Sequence, residues 1–155
     1  MDVYFAVKTL HIISSTVLFG TGLGIAFFML CSRYARNAHE RYYAARFTVI
    51  ADYCFTAPAV IIQPLSGLWL VYNGGYDLAA PWLLWSYGLY IVAGACWLPV
   101  VWIQLQLRVM ARDAAANALP LPARYHRLFR IWFALGWPAF ISLTAIFYLM
   151  TAKPG

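Results

Sequence analysis

Acidic side chains are the scarcest chemistry in this chain: five Asp and Glu stand against eleven Lys and Arg in 155 residues. Charged residues make up only 10% of the sequence and apolar ones 64%, whereas a soluble domain carries roughly 25% charged residues. So few charges cannot cover so much apolar surface in water, which excludes an ordinary soluble domain and leaves lipid as the solvent. Mean hydropathy is +0.70. Cysteine is equally sparse. Cys31, Cys54 and Cys96 form an odd set without C-x-x-C spacing, all in or beside apolar runs, so apolar packing is expected rather than a disulfide framework or a zinc site. There is no Gly-rich phosphate loop, nucleophile elbow or H-E-x-x-H, and with them go the signatures of nucleotide chemistry and hydrolysis.

What the chain has instead is four long apolar runs, at about residues 3–31, 47–73, 82–109 and 129–151. Each exceeds the roughly 20 residues that a spanning helix needs. The pattern predicts an all-α integral membrane four-helix bundle, a single transmembrane domain over residues 1–155, with the lipid bilayer as its main partner. The excess length implies tilt or ends that protrude past the hydrocarbon. The first run is read as a retained helix, because it is far longer than the apolar core of a signal peptide and its n-region holds one lysine and an aspartate.

The net charge of +6 is distributed as topology, not as a nucleic-acid face. Nine arginines sit in two blocks, "SRYARNAHERYYAAR" and the stretch around "ARDAAANALPLPARYHR", while "GGYDLAAP" has no Lys or Arg. The positive-inside rule puts both blocks in the cytoplasm. Both termini and the loop at residues 74–81 then face the outer, periplasmic side of a bacterial inner (cytoplasmic) membrane. Tyr and Trp crowd both ends of the runs as aromatic belts would. Pro58, Pro64, Pro99 and Pro138 fall inside the second, third and fourth runs, where each frees a backbone carbonyl that a neighbour must satisfy.

Of three histidines, His39 and His126 lie among arginines and read as solvated surface. His11 lies about two turns inside the first run. An ionisable group there is either a functional site or a neutral imidazole bonded to a neighbouring helix. At about 100° per residue, Lys8, Ser14, Ser15, Leu18, Gly22 and Ala26 project within about 60° of His11, while Gly20 and Gly24 project oppositely. The His11 face, lined by small residues, suits a flat cofactor such as haem, with His11 as axial ligand to the iron and Lys8 against a propionate. Lys8 equally suits simple snorkelling. Depth counting brings Gln63, Ser66, Gly67, Gly88, Tyr90, Thr144 and Tyr148 to the same level. The expected cofactor-binding set is therefore His11, Lys8, Ser15, Gly22, Gln63, Ser66 and Tyr90. Gly20 and Gly24 form a G-x-x-x-G ridge for a packed helix, a second copy or a larger membrane complex. Asp52, the one carboxylate inside a run, is expected to be neutralised by a loop arginine, and Gln104 and Gln106 to be hydrated at the interface.

The segments "RYYAARF", "ADYCFTAPAVIIQPLSGLWLVY" and "CWLPVVWIQLQLR" resemble an uncharacterised bacterial family of integral membrane proteins defined by a domain of unknown function. More distantly, "VKTLHIISSTVLFGTGLGIAFF" is similar to the opening helix of HemJ-type protoporphyrinogen oxidases, and "TAPAVIIQPLSGLWLVY" to their second helix, at Pro58 and Gly67. That resemblance implies haem b, with His11 as ligand and Lys8 beside it. Where that family's third helix carries W-x-H-x-K-L, this chain reads "WLLWSYGLY", with Ser86 and Tyr87 in place of charged or imidazole groups. The leading expectation is a haem b-binding membrane protein with a redox or haem-handling role, an oxidoreductase if it is an enzyme. The alternative is a non-enzymatic accessory or assembly subunit of a larger membrane complex. A small transporter working through Asp52 is a third reading.

Overall fold

The computed structural model describes residues 2–154, and its helices begin and end where capping chemistry allows. The Asp2 carboxylate accepts the Tyr4 N–H at 3.3 Å and opens α1, Val3–Cys31, which tightens into a 3-10 turn at Ser32–Tyr34. Asn37 caps α2, Ala38–Ala51: its Oδ1 accepts the Glu40 N–H at 2.9 Å, and the Glu40 carboxylate reaches back to the Arg36 N–H at 2.9 Å. This reciprocal arrangement satisfies donors that the first turn leaves free. It starts the second span at residue 38 rather than 47, because capping and the buried Ala44 and Ala45 continue the helix through the arginine block. The remaining helices are α3, Ala57–Asn73, α4, Pro81–Ala116, and α5, Ala123–Ala152. Both arginine blocks are thus largely helical extensions. The second and third spans, Ala38–Asn73 and Pro81–Ala116, have 36 residues each. Each is about 54 Å long against a hydrocarbon core of about 30 Å.

One wide turn joins α2 to α3. At Asp52–Thr56 the helix is π-helical, and the Ala57 N–H bonds the Asp52 carbonyl five residues back. Pro58 follows directly. Its ring has no N–H to give and crowds the carbonyl one turn earlier, and a single expanded turn relieves that conflict. Pro64, further along α3, withdraws the N–H that the Val60 carbonyl would have received. Tyr90 of α4 supplies the replacement, its hydroxyl donating to the Val60 oxygen at 2.6 Å.

Four helical spans are long and apolar enough to cross a membrane. They pack as a bundle in which α4 lies along α5, α2 packs on α4, and α3 packs on α1, while α1 meets α5 through Phe19, edge-on to Phe140 and Phe147. The main core sits toward the arginine-rich end, where Met29, Ala45, Leu107, Ala111 and Tyr125 are almost fully buried. A smaller cluster of Val71, Trp82 and Leu83 ties α3, α4 and α5 at the opposite end. There the Lys153 ammonium donates to the Tyr76 hydroxyl at 2.7 Å, and this hydrogen bond, with the nearby positive charge, draws the exposed phenol below its usual pKa. Large apolar side chains such as Ile61, Leu65, Ile91 and Ile141 point outward, as a bilayer-facing surface requires.

The Tyr90–Val60 contact has a direct test. Tyr90→Phe leaves a carbonyl unpaired away from water and should cost about 1–3 kcal/mol in detergent-solubilised unfolding. Adding Pro64→Ala should recover most of that loss, because residue 64 then supplies its own N–H.

Candidate functional site

His11 does not face solvent or a cluster of ligands; it is clamped between α1 and α3. Its Nδ1 lies 2.8 Å from Ser66 Oγ. Ser66 in turn donates to the Ile62 carbonyl at 2.6 Å. A hydroxyl has one proton; with it given to the Ile62 carbonyl, the Ser66 oxygen accepts from His11 Nδ1–H. In the neutral ring that arrangement is the Nδ1–H tautomer, with the Nε2 lone pair unused by the bond. Gln63 completes the clamp: its amide donates to the His11 carbonyl at 2.7 Å and also contacts Ser14 Oγ. Ser14 donates to the same carbonyl at 3.1 Å. Gly67 is there to make room, since a Cβ on it would stand 3.2 Å from His11 Cε1.

The other expected site residues are elsewhere. Lys8 is exposed, and Ser15 turns its hydroxyl to the Ile12 carbonyl at 2.7 Å. Gly22 and Tyr90 line a separate cavity of about 430 Å³ between α1, α4 and α5. They share the angular face of His11 or its counted depth. However, Gly22 is 11 residues beyond His11, which is about 16 Å along the axis. One expected slot is therefore two places in the fold. Thr144 and Tyr148 are exposed on α5.

The cavity is almost wholly apolar, and its polar groups gather around Asp52 and Thr56 of the π-helical turn. Asp52 is 3% exposed. It has no arginine partner: among the described residues the only ion pair is Arg112–Asp113, at 3.1 Å. Instead Trp97 Nε1 approaches Oδ1 at 3.4 Å. The Gln104 amide, oriented so that both its ends are satisfied, donates to Oδ2 at 2.6 Å and accepts from Trp132 Nε1 at 3.3 Å. The expectation of an arginine partner is corrected here: Arg46, six residues earlier on the same span, projects about 120° around the helix from Asp52, and neutral donors of α4 meet the carboxyl instead. Gln104 is corrected too: it is a buried partner of the carboxylate, not a hydrated interfacial amide. No Lys, Arg, His, Cys or Met lines this cavity. Its walls suit a neutral apolar chain, and it offers a haem iron no nitrogen or sulfur ligand.

The profile of a family described as a predicted integral membrane protein, DUF2269, matches residues 5–154. The chain belongs to the DUF2269 family. No curated protein and no solved structure matches it. The resemblance to a domain-of-unknown-function membrane family is thus established. As a DUF2269 member it is a multi-pass membrane protein, in keeping with its four apolar helices.

Among the described residues of this DUF2269 chain, no three His, Cys, Asp or Glu side chains converge as a metal cage. Sequence reasoning reached His11, Gln63, Ser66 and Gly67 by depth but did not pair Asp52 with Gln104. The available signal was that each is a polar residue inside an apolar run. If the Ser66 hydroxyl selects the tautomer, nitrogen NMR of histidine-labelled protein should show His11 with Nδ1 protonated. Ser66→Ala should release a mixture of both tautomers, and an unchanged spectrum would remove Ser66 from that role.

Proposed function

We propose that the protein is a membrane-embedded haem b-binding protein with a redox or haem-handling role, with His11 as axial ligand through Nε2. The carrying observation is the Nδ1–H to Ser66 hydrogen bond. Histidines that ligate metals almost always donate their other ring N–H to an acceptor, which orients the ring and raises its basicity. The residues fit the group in this respect. Ser66 fixes the tautomer, Gln63 and Ser14 hold the His11 backbone, and Gly67 admits the ring. Lys8, one turn outward and exposed, is placed to meet a carboxylate at the interface. The similarity of the opening helix to HemJ-type oxidases supports the same reading. His11 would hold the group apart from the cavity between α1, α4 and α5, whose lining has no His, Lys, Cys or Met to serve as a ligand. Bound there, haem supplies one-electron redox chemistry. The protein supplies ligand orientation and a low-dielectric setting. By the positive-inside rule this end of the bundle faces the periplasm of an inner membrane, with both termini on that side.

Expression with haem supply should give purified protein with a Soret band. His11→Ala should abolish it, and Ser66→Ala should weaken haem affinity about 10- to 100-fold. Protein that never acquires the band, or a His11→Ala variant that retains full haem, overturns the assignment.

A second reading, an accessory subunit within a larger membrane complex or a homo-oligomer, is favoured by the glycine ridge. Gly20 and Gly24 are exposed, and a Cβ on either would meet nothing within 4 Å. Among the described residues nothing packs on that ridge, which in a bilayer lets another helix approach closely. Substituting both glycines with Ile should shift the complex to smaller species on a native gel. Unchanged migration sinks this reading.

A further inference from the structure

At the arginine-rich end, about 30 Å along α1 from His11, a second cavity of about 250 Å³ opens between the 3-10 turn, α2 and α5. Its lining includes Arg33, Arg41, Arg130 and His126, together with Tyr125 and Phe129, and no Asp or Glu. Arg33 and Arg41 come from the end of the first span and the start of the second, and Arg130 and His126 from the first two turns of α5. Arg41 is anchored by its Nη2, which donates to the Arg33 and Ala35 carbonyls at 3.3 Å each. The Arg33 guanidinium stands 6.0 Å from the centroid of the Phe129 ring. None of the three arginines forms an ion pair among the described residues.

The cavity also borders a buried phenol. Tyr125 is 2% exposed, and the Ser32 hydroxyl, whose own proton goes to the Met29 carbonyl, is the acceptor beside its O–H. Three guanidinium groups thus line one cavity that holds no carboxylate, Arg33 and Arg130 at its exposed rim and Arg41 partly buried.

We propose that this cavity is a binding site for a phosphate group, held by Arg33, Arg41 and Arg130 with the Tyr125 hydroxyl as a neutral donor. Planar guanidinium forks match phosphate oxygens in pairs, and basic pockets between spanning helices at the membrane surface suit anionic headgroups. Two sources carry that chemistry, the headgroup of an anionic phospholipid and a soluble phosphate. The position at the ends of membrane-spanning helices favours the lipid. The site does not depend on the haem reading, because it lies at the other end of α1.

The test uses the full chain in nonionic detergent, titrated with dioleoylphosphatidylglycerol, dioleoylphosphatidylcholine or inorganic phosphate, with thermal unfolding and lipid retention by native mass spectrometry as readouts. The phosphatidylglycerol should bind saturably and raise the unfolding temperature, and the phosphatidylcholine should do so much less. Arg33→Gln, Arg41→Gln and Arg130→Gln together should abolish that difference. Arg46→Gln, Arg108→Gln and Arg127→Gln, which remove the same charge outside the cavity, should leave it. Tyr125→Phe should weaken binding about fivefold, a loss read against the unfolding temperature of the same variant without lipid. Saturable protection by inorganic phosphate that only the first triple variant loses would uphold the site and make its ligand soluble. Equal losses in the two triple variants would reduce the effect to general surface charge and overturn the proposal, as would no stabilisation by either anionic probe.

Discussion

Every backbone polar group inside this bundle must find its partner within the protein, because the bilayer core offers no water to replace it. That constraint organises the structure more than any apolar contact does. Lipid chains are as apolar as leucine, so burial of side chains gives little drive for one helix to choose another. The specific joins are polar. Pro64 frees the Val60 carbonyl, and Tyr90 crosses from α4 to satisfy it. The Gln63 amide and the Ser66 hydroxyl reach α1 at the His11 carbonyl and imidazole. Gln104 and Trp97 of α4 converge on Asp52 of the π-helical turn. The second span is stitched to its neighbours at three depths in this way.

The same constraint explains why the polar groups form separate sites. His11 is matched by donors and acceptors whose geometry leaves one ring nitrogen free, a state useful to a ligand. Asp52 meets only neutral donors, Trp97 and Gln104, at the edge of an apolar cavity. The arginines gather where the helices leave the hydrocarbon. Among the described residues none pairs with Asp52, and Arg33, Arg41 and Arg130 line a cavity of their own at the end of α1, α2 and α5.

Much of this was legible in the residues. Four apolar runs and two arginine blocks specify an all-helical, membrane-spanning chain, since length and hydropathy act locally along each helix. Depth counting set Gln63, Ser66 and Gly67 level with His11, because a helix rises by a constant amount per residue. The start of the second span was not legible from hydropathy, since a capped amphipathic helix continues through polar sequence as readily as a loop does. The role of Gln104 was missed for a similar reason: polarity near a helix end reads as hydration unless its facing neighbour is known.

By itself, then, the sequence determined what each segment is: helix or loop, apolar or charged, spanning or protruding, and which residues share one helical face. Tertiary structure decided which polar groups meet. Rotation and depth within a single helix follow from its rise and twist. Which helix faces which, and with what offset, follows from hydrogen bonds between residues far apart in the chain. Those bonds set His11 against Ser66, and they set Gly22 and Tyr90 on a different cavity from the histidine whose face and level they share.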